Sequence, residues 1–141
     1  MTNHSPILLP MMALVAWTMV MWFWMYLTRI PAILKMRMKL DAYAPRGEQM
    51  NTLPSEVRWK ADNYNHLMEQ PTIFYATVIV LALIGEGHGL NLQLAWAYMI
   101  LRVLHSFMQA TVTIVMWRFV FFLLSSLVLI AMIVNALRVL I

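Results

Sequence analysis

In the run "AYMILRVLHSFMQATV", Tyr98, Arg102, His105 and Gln109 recur at spacings of four, three and four. On an α-helix those intervals put all four side chains on one face. A guanidinium, an imidazole and an amide on one stripe are suited to holding an anion, because the guanidinium offers a planar fork that matches a carboxylate. Upstream, "ADNYNHLMEQPTIFYATVIVLALIG" carries His66 three residues before Glu69 and Asp62 a turn earlier, a polar stripe expected to point into the protein. Arg118 adds a second cation downstream. Arginines, a histidine, amides and one carboxylate together suit a small anionic ligand that also bears a free amine.

The elements that position these residues follow from composition. Of 141 residues, 62% are hydrophobic and only 11% charged. A soluble domain of this length cannot hide that much apolar surface in its own core, so most of it faces lipid or other apolar helices. At ~20 residues per crossing, four spans are expected, at about 7–28, 67–84, 92–115 and 119–137. The fold class is therefore an all-α integral membrane four-helix bundle, a single domain over residues 1–141. Nothing in this composition points to a nucleic-acid partner. The N-terminus lacks the basic region and cleavage site of a signal peptide, so the first span is expected to stay.

Six of the ten Lys and Arg residues fall at 35–60, in the stretch that links the first two spans: Lys35, Arg37, Lys39, Arg46, Arg58 and Lys60. The link "GEGHGLN" between spans two and three holds none, and the positive-inside rule then places the loop at about 35–63 in the cytoplasm and both termini opposite. Pro45, Gly47 and Pro54 mark that loop as surface chain, and Ser55 is the expected cap of the second helix. Residues Met116 to Arg118 are expected to be the tight turn between spans three and four.

Cysteine is absent, which excludes disulfides and thiolate chemistry by the chain itself; a reacting thiol has to arrive with a ligand. The fourteen methionines, including Met19, Met21 and Met25, alternate with Trp, Ile and Leu and suit gap filling better than a copper route. No metal site is expected. Within the spans, Arg102 is costly without a counter-charge, and Glu69 is the acidic residue at span depth. The two are expected to pair, within a subunit or across subunits.

The run "RWKADNYNHLMEQPTIFY", followed by "LRVLHSFMQ" and then Arg118, resembles the MAPEG superfamily, membrane-associated proteins in eicosanoid and glutathione metabolism, and looks closest to its bacterial branch. The similarity covers nearly the whole chain. It implies a homotrimer in a bacterial inner membrane, with glutathione as cosubstrate held at subunit interfaces toward the cytoplasm. By that resemblance His66, Glu69, Arg102, His105, Gln109, Asn63 and Arg37 are the glutathione-binding candidates. Arg118 matches the arginine that stabilises the glutathione thiolate, which makes it the catalytic candidate; a cation near a thiol favours its ionised form. The chain departs from well-studied members at Asp62 and Asn65, where arginines are frequent, and at Gln109 and Phe122, where some carry tyrosines. Phe119 replaces a hydroxyl residue of one prostaglandin-forming branch.

Two functions follow. One is a glutathione-dependent transferase or peroxidase acting on lipophilic electrophiles, with the thiolate of bound glutathione as nucleophile. The other is a non-enzymatic membrane subunit that stabilises or partners a larger membrane complex, with the Glu69 and Arg102 pair fixing helix register. Ion or metal transport ranks behind both, since the spans lack repeated carboxylates.

Overall fold

The computed structural model describes residues 4–111 and 114–141. Five α-helices follow in order: α1 Leu8–Lys35, α2 Ser55–Leu67, α3 Gln70–Leu83, α4 Gly89–Thr111 and α5 Val115–Leu140, with a 3-10 turn at Met50–Thr52 before α2. α2 and α3 together make one broken rod, so the five helices pack as four rods. α4 and α5 share the broadest contact, and α1 lies against α2, α3 and α4.

α1 buries Pro10, Leu14, Thr18, Met21 and Met25. Those positions recur every three or four residues, which makes one stripe facing the other rods. Met19, Val20, Phe23, Leu27 and Ile30 on its other faces are exposed, an arrangement stable in hydrocarbon and not in water. Among the described residues three rods are long and apolar enough to cross a membrane: Leu8–Lys35, Ser55–Leu83 and Val115–Leu140. α4 is not among them, because its buried face carries Asn91, Arg102, His105, Ser106 and Gln109. Its polar stripe is sheltered by the neighbouring rods.

α1 closes with the Met38 N–H bonded to the Ile33 carbonyl at 3.2 Å and the Arg37 N–H to the Leu34 carbonyl at 3.1 Å. This double bond pattern needs a left-handed residue just past the helix, a place usually taken by glycine; here Arg37 takes it, with φ +48°. The following loop is tied by Gln49, whose Nε2 donates to the Lys39 carbonyl at 2.7 Å while its Oε1 accepts from the Asp41 N–H at 3.0 Å.

The break between α2 and α3 is caused by Pro71. Proline has no N–H to offer the Leu67 carbonyl, and its ring would collide with that carbonyl in a continuous helix. Glu69 absorbs the bend with φ −90° and ψ −98°, outside the helical region. Tight bonds from Met68 N–H to the Asn65 carbonyl and Glu69 N–H to the His66 carbonyl close α2. Thr72 then starts α3 by donating its hydroxyl to the Glu69 carbonyl at 2.6 Å.

Two sequence expectations need correction here. Ser55 is the first residue of α2 and Pro54 precedes it; no side chain caps the helix, and the Ser55 hydroxyl instead accepts from Arg58 Nη2 at 3.1 Å. Met116 to Arg118 are not a turn but the opening of α5, where the Arg118 N–H bonds to the Ile114 carbonyl at 3.2 Å.

Candidate functional site

The stripe read from α4 is present. Tyr98, Arg102, His105 and Gln109 are all buried on one face, with Arg102 fully so. The partners of that face come from α2, α3 and α5. Tyr98 stacks on Phe74 of α3 with ring centroids 4.2 Å apart, and its hydroxyl donates to Gln70 Oε1 at 3.3 Å. Gln70 Nε2 donates to the Ser126 hydroxyl at 2.8 Å, and Ser126 donates in turn to the Phe122 carbonyl, also at 2.8 Å. This chain of hydrogen bonds fixes α5 against the α3 and α4 layer.

One hydroxyl joins three rods. Ser106 Oγ accepts from Asn63 Nδ2 of α2 at 2.8 Å and from Trp17 Nε1 of α1 at 2.9 Å. Asn63 is thereby a buried anchor of α2, with its Oδ1 left without a donor.

Above this layer His66, His105 and Phe122 meet as three rings. Their centroids are 5.7 Å apart for the two histidines, 6.4 Å for His66 and Phe122, and 6.3 Å for His105 and Phe122. A cavity of about 230 Å³ opens over them, lined by His66, His105, Val115, Arg118, Phe119 and Phe122. The α5 residues at 115, 118, 119 and 122 lie on one face of the first turns of that helix. Their spacing was a sequence signal for the site that the reading from α2 and α4 alone missed. Arg102 lies behind the cavity wall, its guanidinium carbon 5.8 Å from the Phe122 ring centre.

Several guanidinium nitrogens at this site have nothing to bind. Arg102 Nη2 donates to the His66 carbonyl at 3.1 Å, whereas its Nε and Nη1 are buried without an acceptor. Arg118 Nε is buried and unpartnered as well, and so is the acceptor Gln109 Oε1. Buried donors of a charged group are costly unless an acceptor meets them.

The structure therefore brings His66, His105 and Arg118 to one cavity, places Arg102 behind it, and sets the other candidates apart. Gln109 is buried one turn beyond His105, Asn63 is committed to Ser106, and Arg37 sits exposed on the turn after α1. Of the expected stripe of Asp62, His66 and Glu69 only His66 faces the cavity: Asp62 is exposed and Asn63 takes the inner position. The expected pair of Glu69 with Arg102 is not formed within the chain. The Glu69 side chain is 67% exposed, and its carboxylate lies 3.7 Å from His66 Nδ1. The physical reason is the bend at Pro71, which turns Glu69 outward and presents the His66 carbonyl, not the carboxylate, to Arg102.

Among the described residues no group of three or more His, Cys, Asp or Glu side chains is arranged to hold a metal ion. Comparison with known proteins gives one family: the model of the MAPEG family matches residues 7–138. No curated protein and no solved structure matches the chain. With helical rods suited to a membrane and a family match over nearly its full length, the chain is an integral membrane protein that belongs to the MAPEG family.

Proposed function

We propose that this chain is a glutathione-dependent transferase or peroxidase acting on lipophilic electrophiles drawn from the bilayer. The observation that carries the reading is the cavity that Arg118 lines together with His66, His105 and Phe122. It combines a cation with an apolar wall of Val115, Phe119 and Phe122, which suits a charged thiol on one side and an apolar substrate on the other.

The Arg118 guanidinium stabilises the thiolate of glutathione, and its effect is strengthened by the low dielectric of the wall. The thiolate attacks the electrophilic carbon, a sulfur–carbon bond forms, and the leaving group departs with its electron pair. With a hydroperoxide the sulfur attacks the terminal oxygen instead, the O–O bond breaks and the alkoxide leaves with its electron pair to be protonated to the alcohol, and a second thiol converts the sulfenic acid to a disulfide with release of water. His66 and His105, which line the cavity, supply hydrogen bonds to the peptide part of the ligand. The unpartnered nitrogens of Arg102 await a carboxylate.

The working assembly is a homotrimer in a bacterial inner membrane, with the loop at 35–63 in the cytoplasm. Glu69 supports an assembly of this kind: a carboxylate so exposed at span depth is incompatible with lipid and needs a neighbouring subunit to cover it. Arg37 reaches the ligand from the turn after α1.

The test is glutathione binding to detergent-purified protein, followed by thiolate absorbance in the ultraviolet. Wild type develops the thiolate signal and Arg118→Ala loses it, with turnover falling more than binding. Glu69→Ala weakens binding or assembly. Absence of binding to wild type would sink the proposal and leave the non-enzymatic subunit as the reading.

A further inference from the structure

At the end of the bundle remote from Arg118, the connection from α3 to α4 and the last turns of α5 enclose a second cavity, of about 400 Å³. Both signs of charge line it: Glu86 from the connection and Arg138 from α5. These side chains face one space, yet neither forms an ion pair with the other or with any other described residue. Two opposite charges that share a cavity without touching leave room for a ligand that carries both complements.

The cavity is built, not incidental to a loose loop. Asn91 Nδ2 donates to the Glu86 carbonyl at 3.0 Å, and Asn135 Nδ2 donates to Asn91 Oδ1 at 2.8 Å. The first bond fixes the connection to α4 and the second fixes α4 to α5; both asparagines line the cavity. Gly87 packs so closely on Ser5 and Ile7 that an added Cβ would collide with the Ser5 hydroxyl, and its carbonyl accepts from the Ile7 N–H at 3.2 Å. Gly85 and Gly89 bend the chain on either side with φ +80° and +56°. The segment bearing Glu86 is thus pinned before a ligand arrives, which lowers the ordering cost of binding.

Position selects among zwitterions. The cavity lies where the rods α4 and α5 begin and end, the level at which spanning helices meet lipid headgroups. Leu90 and Val139 line the same cavity and are exposed. We propose that this cavity holds the headgroup of an amine-bearing phospholipid, with its phosphate on Arg138, its ammonium on Glu86 and the first methylenes of its chains against Leu90 and Val139.

The experiment is native mass spectrometry of the full-length, delipidated protein titrated with phosphatidylethanolamine, phosphatidylglycerol or free phosphoethanolamine. Wild type is expected to bind phosphatidylethanolamine about tenfold more tightly than phosphatidylglycerol, which has the phosphate and lacks the amine. Glu86→Gln removes that preference, Arg138→Gln weakens both lipids, and Arg138→Lys restores much of the binding. Equal binding of both lipids by wild type, or unchanged binding in Glu86→Gln and Arg138→Gln with melting curves like wild type, overturns the proposal. If free phosphoethanolamine binds as tightly as the lipid, the lipid assignment falls and a soluble zwitterion takes its place.

Discussion

Arg102 Nη2 donates to the carbonyl of His66 at 3.1 Å, so the guanidinium of α4 holds the end of α2 where the rod is broken. A carbonyl near the end of a helix lacks its full complement of partners, and at membrane depth there is no water to supply them. The His66 carbonyl already accepts from the Glu69 N–H at 3.3 Å, and Arg102 supplies a second donor that ties this end of α2 to α4. Its two remaining buried nitrogens, Nε and Nη1, have no acceptor among the described residues.

That imbalance gives a prediction for Arg102→Met. In the absence of glutathione the variant should melt at or above the wild-type temperature, because removing an unpaired buried charge relieves desolvation and offsets the lost hydrogen bond. With glutathione present, wild type should rise in melting temperature and the variant should not, since its affinity falls by about tenfold or more. A variant stabilised by glutathione as strongly as wild type would show that Arg102 has no part in ligand binding.

Pro71→Ala restores the N–H that a continuous helix needs. The rod from Ser55 to Leu83 is then free to straighten, turning His66 away from His105 and releasing its carbonyl from Arg102. The expected outcome is a protein that still folds, with higher helical circular dichroism, and whose glutathione binding is lost. Retained binding would separate the bend from the site.

Ser106→Ala removes the one acceptor shared by Asn63 and Trp17. Asn63 Nδ2 is then left unmet in the interior, at about 1–3 kcal/mol for a buried group, and Trp17 Nε1 is left unmet in a half-buried place. A lower thermal midpoint and a blunted change of Trp17 fluorescence on unfolding should report it. Ser106→Thr keeps the hydroxyl and should retain part of the stability.

Arg37 holds a left-handed backbone that costs a non-glycine residue about 1–2 kcal/mol. Arg37→Gly should therefore raise the melting temperature of the unliganded protein. If the arginine reaches the ligand, the same variant binds glutathione more weakly, and stability and affinity move in opposite directions. Parallel gains would remove Arg37 from the binding set.

The sequence by itself determined the helical class, the membrane setting and the identity of helix faces. Those properties are local or global sums: apolar excess leaves no alternative to lipid, and the 3.6-residue period groups Tyr98, Arg102, His105 and Gln109 whatever surrounds them. The family was legible because its motifs are contiguous runs of sequence. What only the tertiary structure decided is which faces meet. The bend at Pro71 inserts a non-helical residue at Glu69, so the face of α2 cannot be extended into α3 by counting. Past the bend Glu69 turns outward, and the His66 carbonyl takes the place at Arg102 that the carboxylate was expected to fill; within α2 itself the packing of the rods turns Asn63 inward where Asp62 was expected. The α5 wall of the cavity depends in the same way on how α4 and α5 pack, a relation between distant residues that helical periodicity does not encode.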